Sequence, residues 1–267
     1  MSLERLLSVE KLNFSWTDNH VLKDVSFHVK SNELVAILGV NGVGKSTLLK
    51  CINRILNPES GKIKILENDL SNYNLMQLAK QISYVPQSVR TSFSMNVFDV
   101  VLLGRRPHIF WRVGDKDRDI VSQTLKLFRL EDFAFRGFHK LSGGERQRVI
   151  IAKAVAQDPN LFLMDEPTSD LDLKNQIEVM KNMRELISNN SQGKSAIIAI
   201  HDINIAARFA DRILLMHEGS ILSDGKPEEV LTTKNIEKVF SVTNEIIPKT
   251  KSNPMRVIVK DGINTGA

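Results

Sequence analysis

The sequence is poor in cysteine and in aromatic residues. Its 267 residues include one cysteine, Cys51, and only two tryptophans and two tyrosines. A single cysteine excludes a disulfide framework within the chain. With six scattered histidines it also argues against a structural zinc site. We therefore expect the fold to depend on an ordinary apolar core.

Long apolar runs are missing as well. The longest candidates are the short segments 161–164, 196–200 and 213–216. A membrane helix needs roughly 18–20 apolar residues, so none of these segments predicts one. The first ten residues already carry Glu4 and Arg5 and contain no signal-peptide core. These absences predict a soluble, cytoplasmic chain.

The overall composition is that of a globular protein. Hydrophobic residues make up 42% and charged residues 25%, which excludes a disordered or fibrous chain. Lys and Arg number 36 against 31 Asp and Glu, giving a net charge of +5. The basic residues are dispersed, and Arg105 with Arg106 is the nearest approach to a cluster. This pattern indicates a solvated surface, and we expect no nucleic-acid partner.

Short strands alternate with helices through most of the chain. Strands are predicted at 33–38, 82–85, 161–164, 196–200 and 212–216, and helices at 45–56, 145–156, 173–187 and 204–209. Such alternation is typical of a parallel sheet. Two N-terminal segments, 8–14 and 21–29, mix apolar and polar residues as half-buried antiparallel strands do. Residues 91–144 carry helical stripes without a good strand.

These patterns predict one domain over 1–267, of the α/β class. Residues 1–90 and 145–220 would form the parallel core with an antiparallel β part, and 91–144 a helical subdomain. Residues 221–267 would form a C-terminal extension with a short helix at 227–231. The extension could close the small sheet, contact a partner subunit or be mobile.

A glycine-rich loop follows the first predicted core strand. It reads Gly39, Val40, Asn41, Gly42, Val43, Gly44, Lys45, Ser46, Thr47, which matches G-x-x-x-x-G-K-[ST] between a strand and a helix. The glycines let several backbone N–H groups converge on one anion, and the helix N-terminus adds its positive end. Lys45 can reach the β- and γ-phosphates of a nucleotide, and the Ser46 hydroxyl suits Mg²⁺.

Two carboxylates end the apolar segment 161–164. Asp165 is placed to hold Mg²⁺, directly or through water, because ligands bind at the carboxyl ends of parallel strands. Glu166 is the candidate general base for an attacking water. An acidic pair after a strand is often only a solvated turn, and the nearby phosphate loop makes the functional interpretation the better one.

A second glycine motif opens the helix at 145–156. Ser142 and Glu145 have capping-box spacing, which is enough to explain a helix start. Gly143 and Gly144 expose backbone N–H groups, which would suit a second phosphate contact. The residues alone leave both interpretations open.

Taken in order, these motifs resemble the ATP-binding cassette (ABC) family. A phosphate loop, then Leu-Ser-Gly-Gly-Glu-Arg-Gln at 141–147, then a strand into Asp-Glu-Pro, is that family's motif order. The resemblance covers about residues 7–239 and implies the ABC ATPase fold, ATP and Mg²⁺ as ligands, and a head-to-tail homodimer. It implies that Ser142, Gly143, Gly144 and Gln147 contact the ATP of the opposite subunit.

Further positions fit the same resemblance. Gln87 resembles the glutamine of the Q-loop, near Mg²⁺ and the attacking water, and Asp172 belongs to a D-loop-like segment. His201 resembles the switch histidine that supports the γ-phosphate, although a lone histidine after a strand is more often structural. Trp16 stands where the family has an aromatic residue that stacks on adenine; its alternative is packing within the antiparallel sheet beside Phe14.

A closer resemblance is to ATPase subunits of importers for iron-siderophore, haem and cobalamin. It rests on residues 93–101 with 104–107, on 170–173 with Gln176, and on 201–204 with 206–208. It implies separate membrane permease subunits, indirectly a substrate-binding protein, and a position at the cytoplasmic face of the cell membrane. Iron-siderophore is the first expectation for the substrate; haem, cobalamin, molybdate and efflux remain alternatives.

Two other functions remain open. A nucleic-acid-associated ATPase of the same superfamily is compatible with the basic charge, but the chain has neither a long coiled-coil insertion nor a second cassette. A nucleotide-binding switch that does not hydrolyse is disfavoured by the presence of Glu166 and His201.

Overall fold

Two sheets, a helical segment and a C-terminal hairpin make up the structure. The computed structural model describes residues 5–88, 94–188 and 193–263. The strands are β1 (Arg5–Trp16), β2 (Asn19–Lys30), β3 (Leu34–Leu38), β4 (Ser60–Ile65), β5 (Asn68–Asp69), β6 (Ile82–Val85), β7 (Leu161–Asp165), β8 (Ser195–Ala199), β9 (Arg212–His217), β10 (Ser220–Gly225), β11 (Val242–Ile247) and β12 (Arg256–Gly262). The helices are α1 (Lys45–Ile52), α2 (Leu75–Gln81), α3 (Val97–Leu102), α4 (Asp115–Leu127), α5 (Gly143–Ala156), α6 (Leu173–Ser188), α7 (Ile203–Phe209), α8 (Pro227–Val230) and α9 (Thr233–Phe240).

The larger sheet has the order β10-β9-β3-β8-β7-β6. Its strands from β9 to β6 run parallel, and β10 pairs antiparallel with β9. Both faces are covered: Leu34, Ala36 and Leu38 pack into one core cluster, and Val35 and Ile37 into the other. Coverage on both faces explains why these strands read as continuous apolar runs.

The smaller sheet is antiparallel, with the order β2-β1-β4-β5. It packs with α1 over one face of the larger sheet, where Leu12, Leu22 and Val25 are at most 1% exposed. Burying one such side chain contributes roughly 1.5–3 kcal/mol to folding. The predicted N-terminal antiparallel strands are therefore present, and both extend further than the sequence pattern indicated.

The segment predicted as helical contains α3, α4 and three 3-10 turns at 103–108, 131–133 and 138–140. Asn96 caps α3 by accepting the Asp99 N–H at 2.8 Å. The buried Arg105 binds Asp117 at 3.0 Å and donates to the Ala156 carbonyl at 2.9 Å, which ties the segment to α5. Phe93, the first residue of one motif used above, lies outside the described residues.

The C-terminal part does not join the small sheet. β10 extends the larger sheet, whereas β11 and β12 pair only with each other in the part of the chain that the structure describes. The hairpin of β11 and β12 packs on α7 and α9. Across residues 5–88, 94–188 and 193–263, no helix has the length and apolar character needed to cross a bilayer.

One predicted helix is wrong in its length. The helix expected at 45–56 ends at Ile52. Arg54 has a φ of 54°, in the left-handed region, which a continuing α-helix does not allow. The apolar Leu56 fitted the helical spacing but lies in the turn that leads to β4.

Candidate functional site

The glycine-rich loop connects β3 to α1 as predicted. Gly39, Gly42 and Gly44 have φ values of 153°, 80° and 110°, a backbone region that L side chains rarely adopt. A Cβ on Gly39 would also lie 2.7 Å from the Met216 carbonyl oxygen. Glycine is therefore required at this position by both conformation and space.

Lys45 lies across the loop that precedes it. Its Nζ donates to the carbonyl oxygens of Gly39 at 2.7 Å and Val40 at 3.1 Å. Burial lowers the pKa of the Lys45 ammonium, and the nearby carboxylates of Asp165 and Glu166 act in the opposite direction. The side chain thus closes the loop and brings a partly desolvated positive charge to it.

Ser46 and Asp165 meet although they are far apart in sequence. The Ser46 hydroxyl donates to Asp165 Oδ1 at 2.9 Å, and the Tyr84 hydroxyl donates to Asp165 Oδ2 at 3.4 Å. Burial, followed by the charge of Asp165, raises the pKa of the Tyr84 hydroxyl, which keeps it protonated as a donor. No sequence motif points to this role of Tyr84, because the pairing of β6 with β7 is what brings its ring to Asp165.

Glu166 follows β7 in an unusual backbone conformation. Its φ of 50° lies in the left-handed region, while its N–H donates to the Ala199 carbonyl at 3.0 Å. The Gln87 Nε2 donates to Glu166 Oε2 at 2.6 Å, and His201 Nε2 contacts Glu166 Oε1. The strained backbone, of a kind that is common at functional sites, leaves both carboxylate oxygens in contact with side chains from other strand ends.

These groups line one pocket, here called the P-loop pocket, with a volume of about 250 Å³. Its lining residues are Asn41, Gly42, Gly44, Lys45, Ser46, Thr47, Gln87, Glu166 and His201. The strands β3, β8 and β7 are neighbours in the sheet, so the groups at their carboxyl ends converge. Residues from the phosphate loop, from the strand end at Glu166 and from the strand end at His201 therefore meet in one pocket.

The oxygen atoms at the pocket fit a magnesium ion. The Ser46 hydroxyl and the Asp165 carboxylate are within 2.9 Å of each other, so one cation could take both. Mg²⁺ prefers such oxygen ligands and is commonly held by one or two carboxylates together with substrate phosphates. The resemblance also places Gln87 at the metal. Its Nε2 donates to Glu166 Oε2, and its Oε1 is the atom that could bind Mg²⁺.

The second glycine motif forms the start of α5. Ser142 caps the helix: its hydroxyl accepts the Glu145 N–H at 3.3 Å, and Glu145 Oε2 accepts the Ser142 N–H at 2.7 Å. The backbone N–H of Ser142, with its side-chain contact, lowers the pKa of the Glu145 carboxyl below its ordinary value. The capping box expected from the sequence is present, and Ser142 and Gly143 are exposed.

Gly143 and Gly144 differ in the space around them. A Cβ on Gly143 would meet no atom within 4 Å, whereas one on Gly144 would lie 3.3 Å from the Asp170 carbonyl oxygen. Gln147 is 4% exposed, and its Nε2 has no hydrogen-bond partner. These residues do not line the P-loop pocket. We call Ser142, Gly143 and Gly144 the signature end of α5.

Asp172 and Gln176 fix the loop between β7 and α6. Asp172 Oδ1 accepts the Asn175 N–H at 2.8 Å, and the Gln176 amide donates to the carbonyls of Thr168 at 3.1 Å and Leu171 at 3.0 Å. In the sequence, Gln176 is only one residue of a motif that resembles the importer ATPases, with no role of its own. Its bracing role could not have been predicted, because it depends on the path of the loop.

Trp16 ends β1 with 52% of its surface exposed. Its ring lies 5.1 Å from that of Phe14, edge to face. Phe14 pairs with Leu22, and Leu22 is the residue that a Cβ on Gly44 would meet at 2.9 Å. The pairing places Leu22 against the P-loop, and Trp16 itself is not among the residues that line the pocket.

Comparison with known proteins identifies the class. Residues 22–169 match the family model described as ABC transporter. An uncharacterized ABC transporter ATP-binding protein of Methanocaldococcus jannaschii is 47% identical over 89% of this chain and 92% of its own length. The petrobactin import ATP-binding protein FpuC of Bacillus anthracis is 34% identical over 96% of each chain. The hemin import ATP-binding protein HmuV of Thermobifida fusca is 35% identical over 91% and 84%.

The fold agrees with this class. A solved inward-facing structure of a proposed metal-chelate type ABC transporter has a TM-score of 0.81 and 32% identity, covering 96% of this chain and 97% of that one. The chain belongs to the ATP-binding cassette transporter family. It is an ABC-type ATPase, with the α/β fold and the antiparallel β part that the sequence predicted.

Proposed function

We propose that this chain is the ATP-hydrolysing subunit of an importer that takes up a metal chelate, with iron-siderophore as the first substrate. It would act as a homodimer on separate permease subunits at the cytoplasmic face of the membrane. The observation that carries the proposal is the position of Glu166, held between Gln87 and His201 in the P-loop pocket.

The side chains of the pocket divide the chemistry among them. Lys45 and the loop N–H groups would bind the β- and γ-phosphates, and Ser46 with Asp165 would hold Mg²⁺. The ion, when bound, neutralises charge on the phosphates. Glu166 would take the proton of the attacking water, with Gln87 orienting that water. His201 would donate to the γ-phosphate.

Parts outside the pocket would complete the nucleotide site. Trp16 offers an exposed aromatic face on which adenine could stack. The signature end exposes backbone N–H groups at a helix N-terminus, which suits a phosphate held by a second subunit. Asp172 would lie near this contact, because a Cβ on Gly144 would be 3.3 Å from the carbonyl oxygen of Asp170, two residues before it.

The charge-neutral variant Glu166→Gln tests the hydrolytic role. It keeps the size and the hydrogen-bonding reach of the side chain but removes the base, so hydrolysis should fall by about 10²–10⁴-fold. ATP binding should persist, and ATP should drive stable dimers that light scattering detects. Glu178→Gln, at a partly exposed acid paired with Arg129, is the matched control and should hydrolyse normally. Near-normal phosphate release by Glu166→Gln would remove Glu166 from this role.

The substrate proposal rests on relatives rather than on the pocket, because the ATPase subunit does not need to contact the cargo. Relatives named for petrobactin and for hemin import are similarly close in sequence. Uptake should be measured in a strain that lacks this chain, with iron-siderophore, haem, cobalamin and molybdate supplied separately. If only iron-siderophore uptake is lost, the proposal is supported. If iron-siderophore uptake is unchanged and uptake of another cargo is lost, that cargo is the substrate and iron-siderophore is not.

A further inference from the structure

The C-terminal hairpin is attached to the helix that follows His201. Asn204 of α7 donates through Nδ2 to the Val257 carbonyl at 3.1 Å and accepts the Val257 N–H through Oδ1 at 2.8 Å. The side-chain amide therefore pairs with the backbone of β12 as a neighbouring strand would. We call this pair of hydrogen bonds the Asn204–Val257 joint.

A short path connects the joint to His201. Asp202 caps α7, and its Oδ1 accepts the N–H groups of Asn204 at 2.8 Å and Ile205 at 3.0 Å. His201 directly precedes this cap, and its imidazole contacts Glu166. The first turn of α7 is thus held at its N-terminus by Asp202 and on its side by the hairpin.

The hairpin is anchored well enough to act as a support. Met255 and Val257 are 4% and 5% exposed and belong to the same core cluster as Ile205 and Ala206 of α7. A cavity of about 180 Å³ nevertheless lies beside the joint, between Asp202 and Met255. Apolar packing therefore holds β12 against α7 on one side of the joint, and the two hydrogen bonds of Asn204 hold it on the side where the cavity leaves space.

We propose that the hairpin of β11 and β12 positions His201 for hydrolysis, with Asn204 as the positioning residue. The inference rests on the proposed function, in which His201 supports the γ-phosphate beside Glu166. Asn204 itself does not line the P-loop pocket. Loosening the joint should therefore reduce the rate of the chemical step and leave ATP binding by the loop nearly unchanged.

The test compares two asparagines that tie the hairpin to different helices. Asn204→Ala removes the two hydrogen bonds between the hairpin and α7. Asn244→Ala removes the bond that the hairpin makes with α9, where Asn244 Nδ2 donates to the Thr233 carbonyl at 3.3 Å. For Asn204→Ala we expect kcat for ATP hydrolysis to fall about tenfold, as small misplacements in active sites do, with KM changed by less than about twofold. Asn244→Ala should keep the wild-type kcat.

Thermal melting shows whether each variant is folded. If Asn204→Ala does not fold, Asn204→Asp replaces it: it keeps the acceptor for the Val257 N–H but sets a carboxylate oxygen against the Val257 carbonyl, which breaks that half of the joint. This variant should also lower kcat. A normal kcat in the folded Asn204 variant, or equal losses in the Asn204 and Asn244 variants, would overturn the proposal.

A second measurement separates positioning from general damage. In a His201→Ala background, adding Asn204→Ala should cause little further loss, since the two changes act on one step. Full additivity of the two losses would mean that Asn204 acts by another route and would contradict the proposal. Failure of the proposed function is seen independently, as normal hydrolysis by Glu166→Gln in the same assay.

Discussion

The P-loop pocket and the signature end of α5 are built in opposite ways. In the pocket, side chains from different strand ends bond to one another, as Ser46 does to Asp165 and Gln87 to Glu166. At the signature end, Ser142 and Glu145 bond only within their own cap, and the space beside Gly143 is open. The P-loop pocket is thus assembled from groups of one chain. The signature end presents backbone N–H groups that have no acceptor nearby in the part of the chain that the structure describes.

The difference has a physical meaning. Polar groups that bond to one another are already oriented in the folded chain. A ligand that enters the pocket therefore does not have to order them, and binding costs less conformational entropy. An exposed helix start retains its unsatisfied N–H groups for an external anion. We infer that disturbing the pocket affects the chain by itself, whereas disturbing the signature end affects it only when a second subunit and nucleotide are present.

Among the variants that compare the two regions, Lys45→Ala should give the largest effect. Lys45→Ala removes the buried ammonium from the phosphate site and the contacts to the Gly39 and Val40 carbonyls. Charge-assisted hydrogen bonds contribute about 1.5–3 kcal/mol each, so ATP affinity should fall about 10–100-fold. Fluorescent-nucleotide titration of the monomer measures it, with Lys50→Ala on the same helix as the control. Unchanged affinity would show that the pocket does not bind phosphate.

The glycines of the signature end should separate the two regions. Gly143→Ala meets no atom within 4 Å and should leave the melting temperature unchanged or raise it, because alanine is the better helix former. The variant keeps the backbone N–H, but the added Cβ would occupy the open space beside it, so hydrolysis should still fall about tenfold if a partner's nucleotide approaches this surface.

Gly144→Ala is the comparison variant. Its Cβ would lie 3.3 Å from the Asp170 carbonyl, so it should lower stability in the monomer as well as activity. Melting curves of both variants measure the effect on stability, and phosphate-release rates measure the effect on activity. Full activity in a stable Gly143→Ala chain would mean that no ligand contacts the signature end.

The cap itself should give the smallest effect. Glu145→Gln removes the charge that accepts the Ser142 N–H, and caps contribute about 0.5–2 kcal/mol. Because the pKa of Glu145 is lowered in the fold, its contribution is present above the unfolded pKa and is lost as the pH falls through the folded pKa. Urea denaturation should show a difference from wild type at pH 7 that diminishes as the pH is lowered below the unfolded glutamate pKa of about 4.3. If the difference in unfolding free energy stayed the same at all pH values, the effect would come from the change in side-chain structure and not from the lost charge.

The sequence predicted the pocket better than the periphery. Ser46, Asp165, Glu166 and His201 each follow a short apolar strand, and parallel strands bring their carboxyl ends to one edge. The motif spacing therefore located the groups that meet. What it could not supply were contacts across that edge, such as the Gln87 amide on Glu166, because these depend on which strands are neighbours.

Two of the elements that were missed, β4 and α2, have weak patterns. In β4 only Ile63 and Ile65 are buried, and in α2 only Leu78, so neither shows a full period of apolar residues. The capping box of Asn74 and Gln77 was a readable signal for α2 that the apolar pattern overshadowed. The hairpin of β11 and β12 has mostly exposed residues, and its position depends on long-range contacts with α7.

The single cysteine makes the chain convenient for spectroscopy. Cys51 is 1% exposed, and burial raises the pKa of its thiol to about 11, so it remains protonated and shielded from reagents at neutral pH. A cysteine introduced at a fully exposed position such as Phe110 would react with a label while Cys51 stays unlabelled, so Cys51 would not need to be replaced. Paired spin labels or fluorophores at such a site would report distances between subunits as nucleotide is bound and hydrolysed.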